Sequence, residues 1–269
     1  MKDVADTGRR AGDLAVRLAS AAILIPFAFF VVFEGGLWLA GSAAAFAAIM
    51  GFEWCRMAGQ GPYFGVVLAL ALINLGFGFL DAFDVSIMLA AFALLFGLYH
   101  RKRFTLAAFG VMYAGGLPFA LQVLREGGPW NGMLAALTLM VIVWASDSGA
   151  YFAGRLFGGP TLSTNSPNKT WSGALGAIGL SMTFGAVVAK YLGSPIWLWL
   201  AMGAGISIVA QLGDLFESQI KRQFGVKDVS GFVPGHGGVM DRVDGLGAVC
   251  VVAVAVFLAS PGLAAALGF

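Results

Sequence analysis

The sequence predicts an all-α, polytopic integral membrane protein with about nine transmembrane helices and a cytosolic N-terminus, and three observations carry that prediction. Of the 269 residues, 59% are apolar and only 11% are charged, with a mean hydropathy of +0.86, far beyond a soluble globular domain. The apolar residues fall in runs close to the roughly 20 residues that a helix needs to cross a hydrocarbon core of about 30 Å. The basic residues gather in alternate connections between those runs.

The elements follow in order. The opening "MKDVADTGRRAGDLAVR" is charged for longer than the first part of a signal peptide, and no small-residue cleavage site ends the apolar run after it. It is read as a retained cytosolic leader. Breaking the apolar windows at charge or at Gly and Pro predicts spans at about 16–33, 37–53, 62–80, 85–99, 105–124, 131–154, 173–192, 195–213 and 245–266. Residues 1–130 then hold the leader and five N-terminal spans, and 131–269 a C-terminal region of four spans within one membrane domain. Cys55 and Cys250 sit in apolar runs and read as small buried hydrophobes.

With the N-terminus inside, fourteen of the sixteen basic residues face the cytosol and only Arg125 and Lys190 lie outside. The odd number of spans places the C-terminus outside. "HRKRF" at 100–104 reads as a topology determinant, and Glu34, Asp81, Asp84 and Glu126 as scattered loop charges. The two long hydrophilic segments after the leader, 155–172 and 214–244, both face the cytosol.

Those segments hold the chemistry. "AQLGDLFESQIKRQFGVKD" ends span eight, and a helix continuing through it places Asp214, Glu217, Ser218 and Lys221 at i, i+3, i+4 and i+7 on one face. Two readings fit this stretch alone: a metal or phosphate site, or an interfacial helix end paired with Lys221 and Arg222. The following "KDVSGFVPGHGGVMDRVDG" adds Lys227, Asp228, Ser230, His236, Asp241, Arg242 and Asp244 among glycines that leave the backbone open to a ligand. Asp241 and Asp244 are spaced i, i+3, and packed helices would bring them beside Asp214. Converging carboxylates repel unless they hold divalent cations, and the neighbouring Lys and Arg suit phosphate. Zinc is not expected, with one nearby His and no nearby Cys. His236 reads as a base, a phosphate donor or a loop anchor. Asp147, late in span six, is an isolated intramembrane acid, read either as functional or as a helix-packing group.

The run Ser218 to Asp244, "SQIKRQFGVKDVSGFVPGHGGVMDRVD", closely resembles the signature of the phosphatidate cytidylyltransferase (CDP-diacylglycerol synthase) family. Its Ser, Lys-Arg, Lys-Asp, Pro-x-His-Gly-Gly and Asp-Arg-x-Asp elements are all in register, with Val233 where a larger apolar residue is usual. The likeness extends through "SDSGAYFAGRLFGG" and "STNSPNKTWSGALGA", covering about residues 144–248, and Ser172 stands where the family usually has Glu.

The resemblance implies a nucleotidyltransferase that joins CTP and phosphatidate into CDP-diacylglycerol and pyrophosphate. Magnesium, as one or two ions, would be held at Asp214, Asp241 and Asp244 with Ser218 nearby. Lys221, Arg222, Lys227 and Arg242 would bind phosphates. Lys169 would reach the nucleotide, with Ser166, Thr170 and Trp171 offering hydrogen bonds and an indole face. Asp228 and His236 complete the expected catalytic set. The expected setting is the inner (cytoplasmic) membrane with the site facing the cytosol, CTP and the lipid as partners, room for a homodimer, and no nucleic acid. A CTP-dependent polyprenol or phytol kinase is the alternative within the same chemistry. From another class, a secondary transporter fits the Gly-containing spans and membrane acids, but it would hold its charge at the midplane.

Overall fold

The computed structural model describes residues 20, 22–61, 63–163, 166–227, 229–230 and 238–269. The leader, Asp228 and His236 lie outside the described residues. Among those described, the chain is almost wholly helical: α1 (Ala22–Glu34), α2 (Gly36–Ala58), α3 (Tyr63–Gly76), α4 (Ala82–Tyr99), α5 (Phe104–Glu126), α6 (Gly132–Phe157), α7 (Trp171–Leu192), α8 (Ile196–Gln223), α9 (Met240–Ala259) and α10 (Pro261–Leu267). Seven of these, α2 and α4 to α9, are long and apolar enough to cross a membrane; α1 and α3 are shorter apolar helices.

Local chemistry sets the boundaries. Asp81 caps α4 by accepting the Asp84 N–H at 2.9 Å, Asn131 caps α6 through Leu134 at 3.2 Å, and Thr170 caps α7 through Gly173 at 3.1 Å. Between α1 and α2 the chain turns at Gly35 (φ +68°), where a Cβ would lie 2.5 Å from Glu126 Oε1. Arg125, at the end of α5, holds that elbow by donating to the Val32 and Phe33 carbonyls at 2.7 and 3.1 Å, and Glu126 accepts from Gly36 N–H.

Several boundaries differ from the sequence reading. Span two runs on to Ala58 instead of stopping at 53, because Glu53 is buried inside the helix and does not end it. Span nine begins at Met240, which puts Asp241 and Asp244 on its first turns, and breaks at Ser260 because Pro261 has no N–H to continue the ladder and starts α10. The 155–172 segment contains a small antiparallel hairpin, β1 (Thr161–Ser163) with β2 (Ser166–Thr170), pairing Thr161 with Thr170 and Ser163 with Ser166.

Packing in a bilayer gains little from hydrophobicity between helices, so close backbone approach matters more. The α6–α7, α7–α8 and α8–α9 crossings all use glycine. A Cβ at Gly149 would lie 2.6 Å from Gly176 O, one at Gly203 2.5 Å from Ser181 O, and one at Gly213 2.9 Å from Asp244 O. The last contact sets Asp214 beside Asp244. Two buried apolar clusters fill the bundle. One centres on Trp199, Leu139 and Phe257 in α6 to α10; the other, around Trp54, Leu70 and Leu89 in α2 to α5, also takes in Ile220 and Met240 from the signature region.

Candidate active site

The C-terminal ends of α6 and α8, the hairpin and the N-terminal ends of α7 and α9 meet around one cavity of about 840 Å³. Its far wall is apolar, built from α1, α2, α5 and α6 with residues such as Phe27, Val31, Phe46 and Leu121. The near end is charged: Asp147, Asp214, Glu217, Asp241 and Asp244 line it with Lys169, Lys221 and Arg242. Five carboxylates against three basic side chains leave a formal excess of two negative charges.

α8 stays helical for 28 residues, about 42 Å at 1.5 Å per residue, so it carries its polar end past an apolar span. Asp214 and Glu217, one turn apart, therefore project toward α9. Ligand oxygens of Asp214, Glu217 and Asp244 all lie within 4.8 Å of one another. Glu217 and Asp244 are buried, and Glu217 Oε1 finds no hydrogen-bond donor among the described residues. Asp244 accepts the Gly245 N–H at 2.7 Å. An all-oxygen set with a buried unpartnered carboxylate oxygen and surplus negative charge fits a hard divalent cation such as magnesium.

Asp241, expected beside Asp214 and Asp244, lies against Glu217 at the edge of that group. It accepts from Lys221 Nζ at 2.6 Å and from Gly238 N–H at 3.1 Å, while Lys221 also stands 3.5 Å from Glu217. Lys169 reaches in from the hairpin and pairs with Asp214. Thr170 lines the cavity, but Ser166 and Trp171 do not, the indole being exposed at the start of α7. Ser172 turns away, donating to the Gly158 carbonyl and lying 3.0 Å from Thr170 Oγ1. Ser218 is half-buried and outside the cavity lining. Lys227 and Arg222 are exposed outside it, with Arg222 Nη1 donating to Val226 O at 3.3 Å.

Two residues at the site are not among the expected ligands or catalytic residues. Glu217 shares a helix face with Asp214, which was legible, but its place in the carboxylate cluster needed the α8–α9 crossing. Glu53, in α2, is fully buried and bonded to Ser230, Val239 and Met240 around the start of α9. A lone carboxylate inside an apolar run was the available signal.

The family model described as the cytidylyltransferase family matches residues 15–260, well beyond the segment in which the signature is legible. A phosphatidate cytidylyltransferase of Brucella melitensis is 35% identical over 244 residues, covering 87% of this chain and 89% of that protein. One from Synechocystis is 33% identical over 271 residues, covering 85% and 91%. One from Mycobacterium tuberculosis is 42% identical over 120 residues, covering 44% and 37%. With the fold, the carboxylate-lined cavity and matches over most of its length, this chain belongs to the cytidylyltransferase family.

Proposed function

We propose that this protein transfers the cytidylyl group of CTP to phosphatidate, forming CDP-diacylglycerol and releasing pyrophosphate. One observation carries the reading beyond family membership: a single cavity joins an apolar wall, suited to acyl chains, to a charged end suited to phosphate and a cation. A water-soluble nucleotide alone needs no apolar wall.

A phosphatidate oxygen attacks the α-phosphorus in line; the new O–P bond forms as the bond from the α-phosphorus to the bridging oxygen breaks, and pyrophosphate leaves with that electron pair. No general base is required, because the phosphate monoester is already ionised near neutral pH. Asp214, Glu217 and Asp244 would hold the magnesium that both anionic reactants need, and that ion supplies charge screening at the transferred phosphorus. Asp241 keeps Lys221 at the edge of the cluster and would join the cation set once Lys221 turns to a phosphate. Lys221 and Arg242 face the reacting phosphates, while Arg222 and Lys227 meet phosphate from outside the cavity. Lys169 and Thr170, with Ser166 and Trp171 nearby, form the nucleotide side; Lys169 would exchange Asp214 for a phosphate oxygen of CTP. Asp228 and His236 complete the set by resemblance.

The reading extends to placement. Nine spans would follow if α1 and α3 cross together with the seven longer helices, and the distribution of basic residues supports a cytosolic N-terminus and a site facing the cytosol at the inner membrane. The division near residue 130 is supported by labour: every carboxylate of the charged end comes from 131–269, and most of the apolar wall from 1–130.

Purified protein in mixed micelles, given phosphatidate and CTP labelled at either the α- or the γ-phosphorus, tests the reading. Transfer of the α-label alone to lipid is expected. Transfer of the γ-label would make the protein a lipid kinase, and no transfer of either would remove the proposal.

A further inference from the structure

We infer that Glu53 is a positioning residue for this transfer: its buried carboxylate fastens the first turn of α9 and thereby sets where Asp241 and Asp244 stand. The inference rests on the proposed function for its kinetic consequence, but not for its geometry. Glu53 Oε1 accepts the Val239 N–H at 2.9 Å, Oε2 accepts the Met240 N–H at 2.8 Å, and Ser230 Oγ donates to Oε1. Ser230 and Val239 are nine residues apart in the signature, and one side chain from α2 bonds both.

The arrangement does more than fill a gap. α9 has no side-chain cap from the residue that precedes it, Val239. Its leading donors go instead to Asp241, through Gly238 N–H, and to Glu53, through the next two. A negative charge there is favoured by the helix dipole. Capping alone calls for no buried glutamate from another helix, since Ser, Thr or Asn at the cap does it without desolvating a charge.

Two glycines show how closely the contact is built. A Cβ at Gly238 would lie 2.9 Å from Glu53 Oε1 and 3.3 Å from Asp241 Oδ2, so the backbone reaches both carboxylates only without a side chain. The neighbouring Trp54 is seated against Gly110 of α5, where a Cβ would fall 1.9 Å from Nε1. That seat stops α2 from sliding, and Glu53 stays level with the start of α9.

The test uses full-length protein carrying Glu53→Gln or Glu53→Ala, read by amide hydrogen exchange without added metal and by steady-state kinetics against magnesium. Glu53→Gln is nearly isosteric but turns an NH₂ toward one of the two amides, so exchange at Val239 and Met240 should rise about tenfold, the loss of one net hydrogen bond, and further in Glu53→Ala. Exchange elsewhere should be unchanged. The magnesium concentration for half-maximal rate should rise and kcat should fall about tenfold in Glu53→Gln, with KM for CTP nearly constant.

Unchanged exchange at α9 would overturn the contact. Faster local exchange with wild-type kcat and magnesium response would overturn the positioning role, and a uniform rise in exchange would reduce Glu53 to a general stabiliser. Absence of transfer by the wild-type protein would instead sink the functional reading and leave the exchange result standing.

Discussion

Gly213→Ala should disable the enzyme without touching a single polar group. A Cβ on Gly213 would lie 2.8 Å from Ala248 Cβ and 2.9 Å from Asp244 O. Carbon atoms rest about 3.5–4.0 Å apart, so α8 and α9 must separate by roughly 0.5–1 Å at this level. Overpacking of this kind costs about 1–3 kcal/mol, which a bundle of this size survives. The site does not survive it as well, because Asp214 is the next residue on α8 and Asp244 is the residue being pushed. A displacement near 1 Å can cost on the order of a hundredfold in rate, so kcat should fall about 10- to 100-fold while the protein still purifies as a folded species. Gly205→Ala is the control: it lies on the same helix with nothing within 4 Å of its Cβ, and it should match wild type or unfold slightly later. CDP-diacylglycerol formation per folded protein, with thermal unfolding alongside, decides the matter. Wild-type kcat in Gly213→Ala would refute the claim that the α8–α9 crossing sets the carboxylate cluster.

Asp214→Asn, Glu217→Gln and Asp244→Asn should each lower turnover by about a hundredfold or more and raise the magnesium requirement, whereas Asp241→Asn should lower turnover with a smaller shift in that requirement. Magnesium titration of the four variants separates them, and a normal requirement in any of the first three removes that residue from the cation set. Lys169→Ala should raise KM for CTP about tenfold and leave KM for phosphatidate nearly unchanged; an unmoved KM for CTP would make its pairing with Asp214 purely structural. A single cysteine at Ser166, in a background lacking Cys55 and Cys250, should resist an impermeant thiol reagent in intact cells and react in inverted vesicles. Labelling from outside would reverse the proposed orientation.

How much of this could be read in the chain depended on the range of the interaction. Helix identities follow from apolar run length, and Asp214 and Glu217 share a face by helical spacing alone. Whether Asp241 or Glu217 joins Asp214 and Asp244 could not be read that way, because it is decided by a glycine contact between two helices and by which carboxylate Lys221 prefers. Glu53 was hidden for a related reason: ending apolar windows at charge turned an interior residue of α2 into the edge of a span. The hairpin at 161–170 is short and polar, with no alternating apolar pattern to announce it.

The central claim is that the carboxylate cluster carries out cytidylyl transfer to a lipid phosphate, and the stoichiometry of its products tests that most directly. Purified wild-type protein with phosphatidate, CTP and magnesium should release one pyrophosphate for each CDP-diacylglycerol formed, and Asp244→Asn, folded to the same extent, should form both at about a hundredth of that rate or less. Pyrophosphate released without CDP-lipid, or full activity in Asp244→Asn, would contradict the account.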